Sequence, residues 1–140
     1  VGAGYWEFSE EEGRTKFTSK WKQIGVLDCH YSTPIKHENY LYGFHGRQER
    51  GALLRCVRLS DGKLMWTAPP MGTGHLIRLG EKGLCLTERG EFFIFELKPS
   101  EFKPEFSEQI LGAGRAHFAY SQGLIFARDK RRLICLDLTE

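Results

Sequence analysis

The chain has 140 residues, enough for one domain with a sizeable core and too few for two ordinary domains. With 41% hydrophobic and 27% charged residues it has an ordinary globular composition, and no apolar run reaches membrane-spanning length, so no membrane span is expected. The formal charge is only +2 and the basic residues are scattered, which argues against a phosphate-tracking surface and therefore against a nucleic-acid partner.

Sixteen glycines, 13% aromatic residues and few helix-forming runs point to many short strands, an all-β chain. The first element is a hairpin. Tyr5 to Phe8 is a short strand, Ser9 to Gly13 a polar turn, and Lys16 to Trp21 the alternating return strand. Beyond a loop over Lys22 to His30, four antiparallel strands are predicted at Tyr31–Ile35, Tyr40–Phe44, Leu53–Leu59 and Leu64–Thr67. Asp61-Gly62 between apolar runs is the strongest turn signal among them. A second set follows at His75–Leu79, Gly83–Thr87, Glu91–Leu97 and Phe106–Leu111. A third set comprises Ala116–Tyr120, Leu124–Arg128 and Arg132–Leu138, without a fourth strand. Trp21 lies forty-five residues before Trp66 in the same role, so the opening hairpin reads as the third and fourth strands of a further unit.

Four short antiparallel strands repeated at this spacing are the signature of a propeller blade. The expected fold is an all-β β-propeller arc of about three four-stranded antiparallel blades in an incomplete ring. It divides into a half blade over 1–30, blades over 31–70 and 71–112, and an incomplete last blade over 113–140. Because the sequence starts Val1-Gly2-Ala3-Gly4 without Met, it is expected to be a mature or excised portion of something longer.

Few residues invite a chemical role. The four cysteines, at 29, 56, 85 and 135, form no C-x-x-C pair and suit no zinc spacing, and the sequence gives no reason to pair Cys29 or Cys85 with anything. Cys56, Ile94 and Cys135 fall at one repeat position, read as a small buried apolar site. His75 and His117 open corresponding strands and are candidates for a binding rim; the alternative is that a half-exposed strand start simply tolerates His. Trp6 lies outside the matching repeat positions and is a candidate ligand contact, whereas the other large aromatics read as packing between blades. Ser32 lacks a Gly-x-Ser-x-Gly elbow, and Lys130-Arg131-Arg132 reads as a solvated turn. Catalytic residues, metal ligands and cofactors are not expected. Arg58, Glu96 and Asp137 occupy equivalent positions, which suggests an ion pair between Arg58 and Glu96 across neighbouring blades.

The segment Cys56-Val57-Arg58-Leu59-Ser60-Asp61-Gly62-Lys63-Leu64-Met65-Trp66 resembles the tryptophan-docking motif of pyrroloquinoline-quinone-like propeller repeats, and Cys135-Leu136-Asp137-Leu138-Thr139-Glu140 resembles its first half. The motif's usual Asp is Arg58 here, its Thr is Asp61, and the middle repeat has neither its Gly nor its Trp. The resemblance implies the C-terminal portion of such a propeller, with Gly62, Trp66, Trp21 and Asp137 as structural docking positions. It further implies a non-catalytic scaffold or binding module for a protein or ligand, exported and periplasmic in a bacterium. Self-association through open blade edges is a second possible partnership. The rival reading is part of a quinoprotein-type enzyme, or of a propeller sensing a sugar or another small molecule, whose site needs further blades.

Overall fold

The computed structural model describes residues 2–139. Val1, in the start read as an excised end, and Glu140, last residue of the partial second motif, lie outside the described residues. Thirteen strands form four small antiparallel sheets, and among the described residues the only helical turn is a short 3-10 turn at Gln48–Arg50. The first sheet pairs β1 (Ala3–Glu11) with β2 (Arg14–Gln23). The second is the meander β3 (Ile35–His37), β4 (Tyr40–His45), β5 (Leu53–Arg58) and β6 (Leu64–Thr67). The third repeats it with β7 (Gly74–Leu79), β8 (Lys82–Thr87), β9 (Glu91–Glu96) and β10 (Pro104–Gln109). The fourth holds β11 (Ala119–Ser121), β12 (Leu124–Arg128) and β13 (Leu133–Asp137).

Two cores join the second, third and fourth sheets. Tyr42, Phe44, Leu54 and Cys56 of the second sheet meet Leu76, Cys85, Phe93 and Phe95 of the third. Leu84, Leu86 and Phe92 of the third meet Ile125 and Ala127 of the fourth, with Leu111 and Phe118 from the connection. The third sheet is thus apolar on both faces, because successive residues of a strand point in opposite directions. That is why Leu84-Cys85-Leu86 and Phe92 to Phe95 read as unbroken apolar runs.

The strand ends depart from the alternation pattern for local reasons. The opening hairpin is longer than expected because Glu12 (φ 52°) and Gly13 (φ 73°) form a two-residue turn, and the polar residues on either side continue the ladder. Lys20 and Glu7 pair across this ribbon at 3.0 Å. The first strand of the second sheet starts at Ile35 rather than Tyr31. Ahead of it Asp28 is tied to the β4–β5 loop, its carbonyl accepting from Gly46 N–H (3.0 Å) and its N–H donating to His45 Nδ1 (3.0 Å). β10 spans Pro104–Gln109, two residues earlier than expected, since Ile110 and Leu111 donate to the Gly90 carbonyl instead of extending the ladder. β11 starts at Ala119 because Gly112 and Gly114 ahead of it donate to Asp129 and to the Glu88 carbonyl.

Two expectations are corrected. Arg58 forms no pair with Glu96: it closes its own turn on Asp61 (Nε to Oδ1, 2.9 Å), and Glu96 pairs with Lys98. Equivalent repeat positions face the same way around the arc, so they do not face each other. Cys135 is exposed, unlike Cys56. Its position faces the following sheet, and the described residues contain none beyond the fourth.

Candidate functional site

Every strand of these meanders reverses the one before it, so their connections alternate between two ends of the arc. The turns after β1, β3, β5, β7, β9 and β11 lie at one end. The β4–β5, β8–β9 and β12–β13 turns and the three linkers between sheets lie at the other, here termed the linker end.

At the first end tryptophans lock one sheet to the next. Trp21 of β2 donates from Nε1 to the Leu59 carbonyl (2.6 Å) just past β5. Trp66 of β6 repeats the contact on the Lys98 carbonyl (2.8 Å) just past β9. Trp21 packs against Gly62, where a Cβ would come within 3.0 Å of its ring. Trp66 packs against Tyr42 and Phe102, at centroid distances of 5.8 and 5.5 Å. In the third sheet the equivalent residue is Phe106: it pairs with Ile94 as Trp66 pairs with Cys56. Sequence reading missed Phe106 because it sought Trp, and because Phe106 lies forty residues after Trp66, where the spacing of Trp21 and Trp66 is forty-five. Asp137 caps its own turn, accepting from Thr139 N–H (2.9 Å) and Oγ1–H (2.6 Å).

The linker end gathers most of the chemistry-bearing side chains. The rings of His75 and His117 lie 4.6 Å apart, Tyr31 packs against His75 at 5.6 Å in a tilted arrangement, and His30 packs against Tyr31 at 5.8 Å. Three linkers, or the strand one of them enters, therefore supply one continuous row of rings. His75 Nε2–H donates to the Arg115 carbonyl (3.1 Å), and His117 Nδ1–H donates to the Phe118 carbonyl (2.6 Å). Burial holds His75 below the usual histidine range, opposed by its bond to Arg115 and aided by neighbouring His117. With its amide oxygen turned toward Arg115, Gln48 accepts from that guanidinium (3.0 Å) and donates to the Tyr31 hydroxyl (3.2 Å). Trp6 stands apart from this row, 48% exposed on the opening ribbon, where Phe8 and Phe17 also form an exposed cross-strand pair.

Beside His117 an open cleft of about 580 Å³ separates the third and fourth sheets, lined in part by Glu88, Arg89, Arg115, Arg128 and Lys130. Asp129, which also lines it, accepts from the backbone N–H groups of Arg131 (2.7 Å), Gly112 (2.8 Å) and Arg132 (2.8 Å). Those bonds hold its carboxyl down at about 2. A carboxyl whose folded value is depressed contributes stability above its ordinary range and loses it as pH falls toward the folded value. The thermal midpoint of Asp129→Asn is therefore expected below that of the parent near neutrality, with the gap narrowing between about pH 4 and pH 2. A gap that stays constant with pH would contradict this role.

Among the described residues no three His, Cys, Asp or Glu side chains converge as metal ligands. All four cysteines are free thiols. Burial pushes Cys29 up to about 11 and Cys56 up to about 12, and raises fully buried Cys85 as well. A thiol-specific reagent at neutral pH is expected to label Cys135 first and Cys29 slowly, with Cys56 and Cys85 reacting only on unfolding. Mass mapping of the labelled peptides checks the order.

No family model matches the chain, and no curated protein matches it. Among solved structures it is similar to the computationally designed Ika8 protein, with a TM-score of 0.58 at 12% identity over 94% of this chain and 45% of that one. It is also similar to the computationally designed Ika4 protein, with a TM-score of 0.55 at 13% identity over 80% of this chain and 70% of that one. The chain spans under half the length of Ika8, and identities this low make the likeness one of fold alone.

Proposed function

We propose that the chain is an arc of a pyrroloquinoline-quinone-like β-propeller, acting as a non-catalytic scaffold that binds a partner in an exported, periplasmic protein. The observation that carries this reading is the repeated tryptophan joint. Trp21 and Trp66, one repeat apart, donate to the carbonyl just past the third strand of the following sheet, as a modular ring of blades requires. Two-sided burial of the third sheet supports it as well, since each blade of a ring packs between two others. Rigid joints at one end and long linkers at the other suit a frame that displays a binding surface.

Electron microscopy of the full-length gene product tests the architecture: a disc with a central channel is expected, and an open stack of sheets would overturn it. Turnover assays with pyrroloquinoline quinone, calcium and a dye acceptor test the function. No turnover of alcohols or sugars is expected, and sustained quinone-dependent turnover would replace the scaffold with an enzyme.

A further inference from the structure

We propose that the linker end is a docking surface for an acidic polypeptide segment of a partner protein. The inference rests on the scaffold reading above and names the partner chemistry that the scaffold would display.

Charge is unevenly divided between the two ends. The connecting segments of the linker end, 24–34, 46–52, 68–73, 88–90, 110–118 and 129–132, carry seven Lys or Arg residues against four acids. Those of the opposite end, 12–13, 38–39, 59–63, 80–81, 97–103, 122–123 and 138–139, carry five acids against three lysines. A chain of formal charge +2 thus holds an excess of three positive charges in the loops of one end and of two negative charges in those of the other.

The acids of the linker end are mostly engaged within the molecule. Asp28 accepts from Gly25 N–H (3.0 Å), Glu88 lies 3.7 Å from Arg115, and Asp129 holds its three backbone donors. The cations are not similarly used. Among the described residues Arg47, Arg50, Arg89, Arg128, Lys130 and Arg131 have no carboxylate partner within 4 Å. Arg89, Arg128 and Lys130 line the cleft between the third and fourth sheets, and Arg47 and Arg50 border a second cleft by His30. The row of His30, Tyr31, His75 and His117 runs between the two groups. The result is two basic patches flanking a rib of rings, a surface complementary to a segment with acidic side chains at either end of a polar or apolar middle.

The same layout disfavours a nucleic acid. A continuous phosphate chain crossing the rib of His30, Tyr31, His75 and His117 would leave its middle phosphates without a cation, whereas a peptide can place neutral residues there. Guanidinium groups pair bidentately with carboxylates, and five of the six unpaired cations are Arg.

Fluorescence anisotropy on the full-length protein with a labelled Glu/Asp-rich peptide tests the proposal, with a thymidine oligonucleotide and inorganic phosphate as competitors. Saturable peptide binding is expected, weakening at least about tenfold from low to physiological salt. Arg89→Glu with Lys130→Glu should weaken it by a further factor of about ten, while Lys98→Glu with Lys103→Glu at the opposite end leaves it unchanged. All four residues are exposed and lie in connections, so both variants should keep the parent circular dichroism. Absent peptide binding, equal loss from reversals at either end, or displacement of the peptide by the oligonucleotide or phosphate at lower concentration would each overturn the acidic-segment assignment. None of these results touches the disc expected by microscopy or the quinone assay, so the surface can fail while the scaffold stands. Quinone turnover would remove the scaffold whatever the peptide does.

Discussion

Phe95→Ala is expected to lower the unfolding free energy by roughly 3–5 kcal/mol. The ring is fully buried in the core between the second and third sheets, with centroids 5.3 Å from Phe102, 5.9 Å from Phe93 and 6.4 Å from Tyr42. It lies so close over Gly83 that a Cβ there would come within 2.5 Å of Phe95 Cζ, so no slack surrounds it. The cavity left by alanine cannot readily collapse, because its walls are strands held by ladders on either side: β4 by β3 and β5, β8 by β7 and β9. Urea unfolding followed by tryptophan fluorescence measures the loss, with Phe8→Ala as the comparison. Phe8 is 74% exposed, and its replacement should change stability by no more than about 0.5 kcal/mol. Comparable values for the two variants would mean that the sheets do not pack as described.

The strands were legible because each is a short alternating or doubly buried run bounded by turn residues. Their ends were not, since they depend on contacts distant in sequence. Residues after Tyr31 could have paired as a strand, but those just before it are held by the β4–β5 loop. Gly112 is likewise drawn off by Asp129, seventeen residues later. The tryptophan joints at Trp21 and Trp66 were readable as a repeat; Phe106 was hidden by a change of residue type. Alternation assigns Arg58 and Glu96 to equivalent places, and equivalence around an arc is what keeps them apart. The linker end was the least visible feature. Lys130-Arg131-Arg132 alone is a solvated turn, and Arg47, Arg50 and Arg89 look scattered along the chain. They share an end only once strand reversal is counted through three sheets, a signal present in the strand order but absent from any local motif.

Gly90→Ala is expected to cost roughly 4 kcal/mol, far more than an ordinary glycine replacement, because two separate penalties fall on one atom. Gly90 has φ of 86°, a conformation that L-residues adopt at a cost of about 1–2 kcal/mol. An added Cβ would also fall on the Leu111 carbonyl, with Leu111 C at 2.5 Å and Gly112 O at 2.6 Å. These are backbone atoms, so no side chain can swing aside. The same linker is pinned there, Ile110 N–H (3.1 Å) and Leu111 N–H (3.2 Å) both donating to the Gly90 carbonyl. Gly51→Ala separates the two penalties: its φ is 79°, but nothing lies within 4 Å of its added Cβ. It should cost only the backbone share, about 1–2 kcal/mol. For a chain of this size the Gly90 variant should melt on the order of 10–15 °C lower and the Gly51 variant about 5 °C lower. Equal shifts would show that the β8–β9 turn and the linker after β10 do not meet. Unequal shifts carry a consequence for the linker end. Displacing 110–112 also moves Arg115 and His117 away from His75, so Gly90→Ala should weaken acidic-peptide binding at temperatures where it is still folded, while Gly51→Ala leaves the His75–His117 row in place.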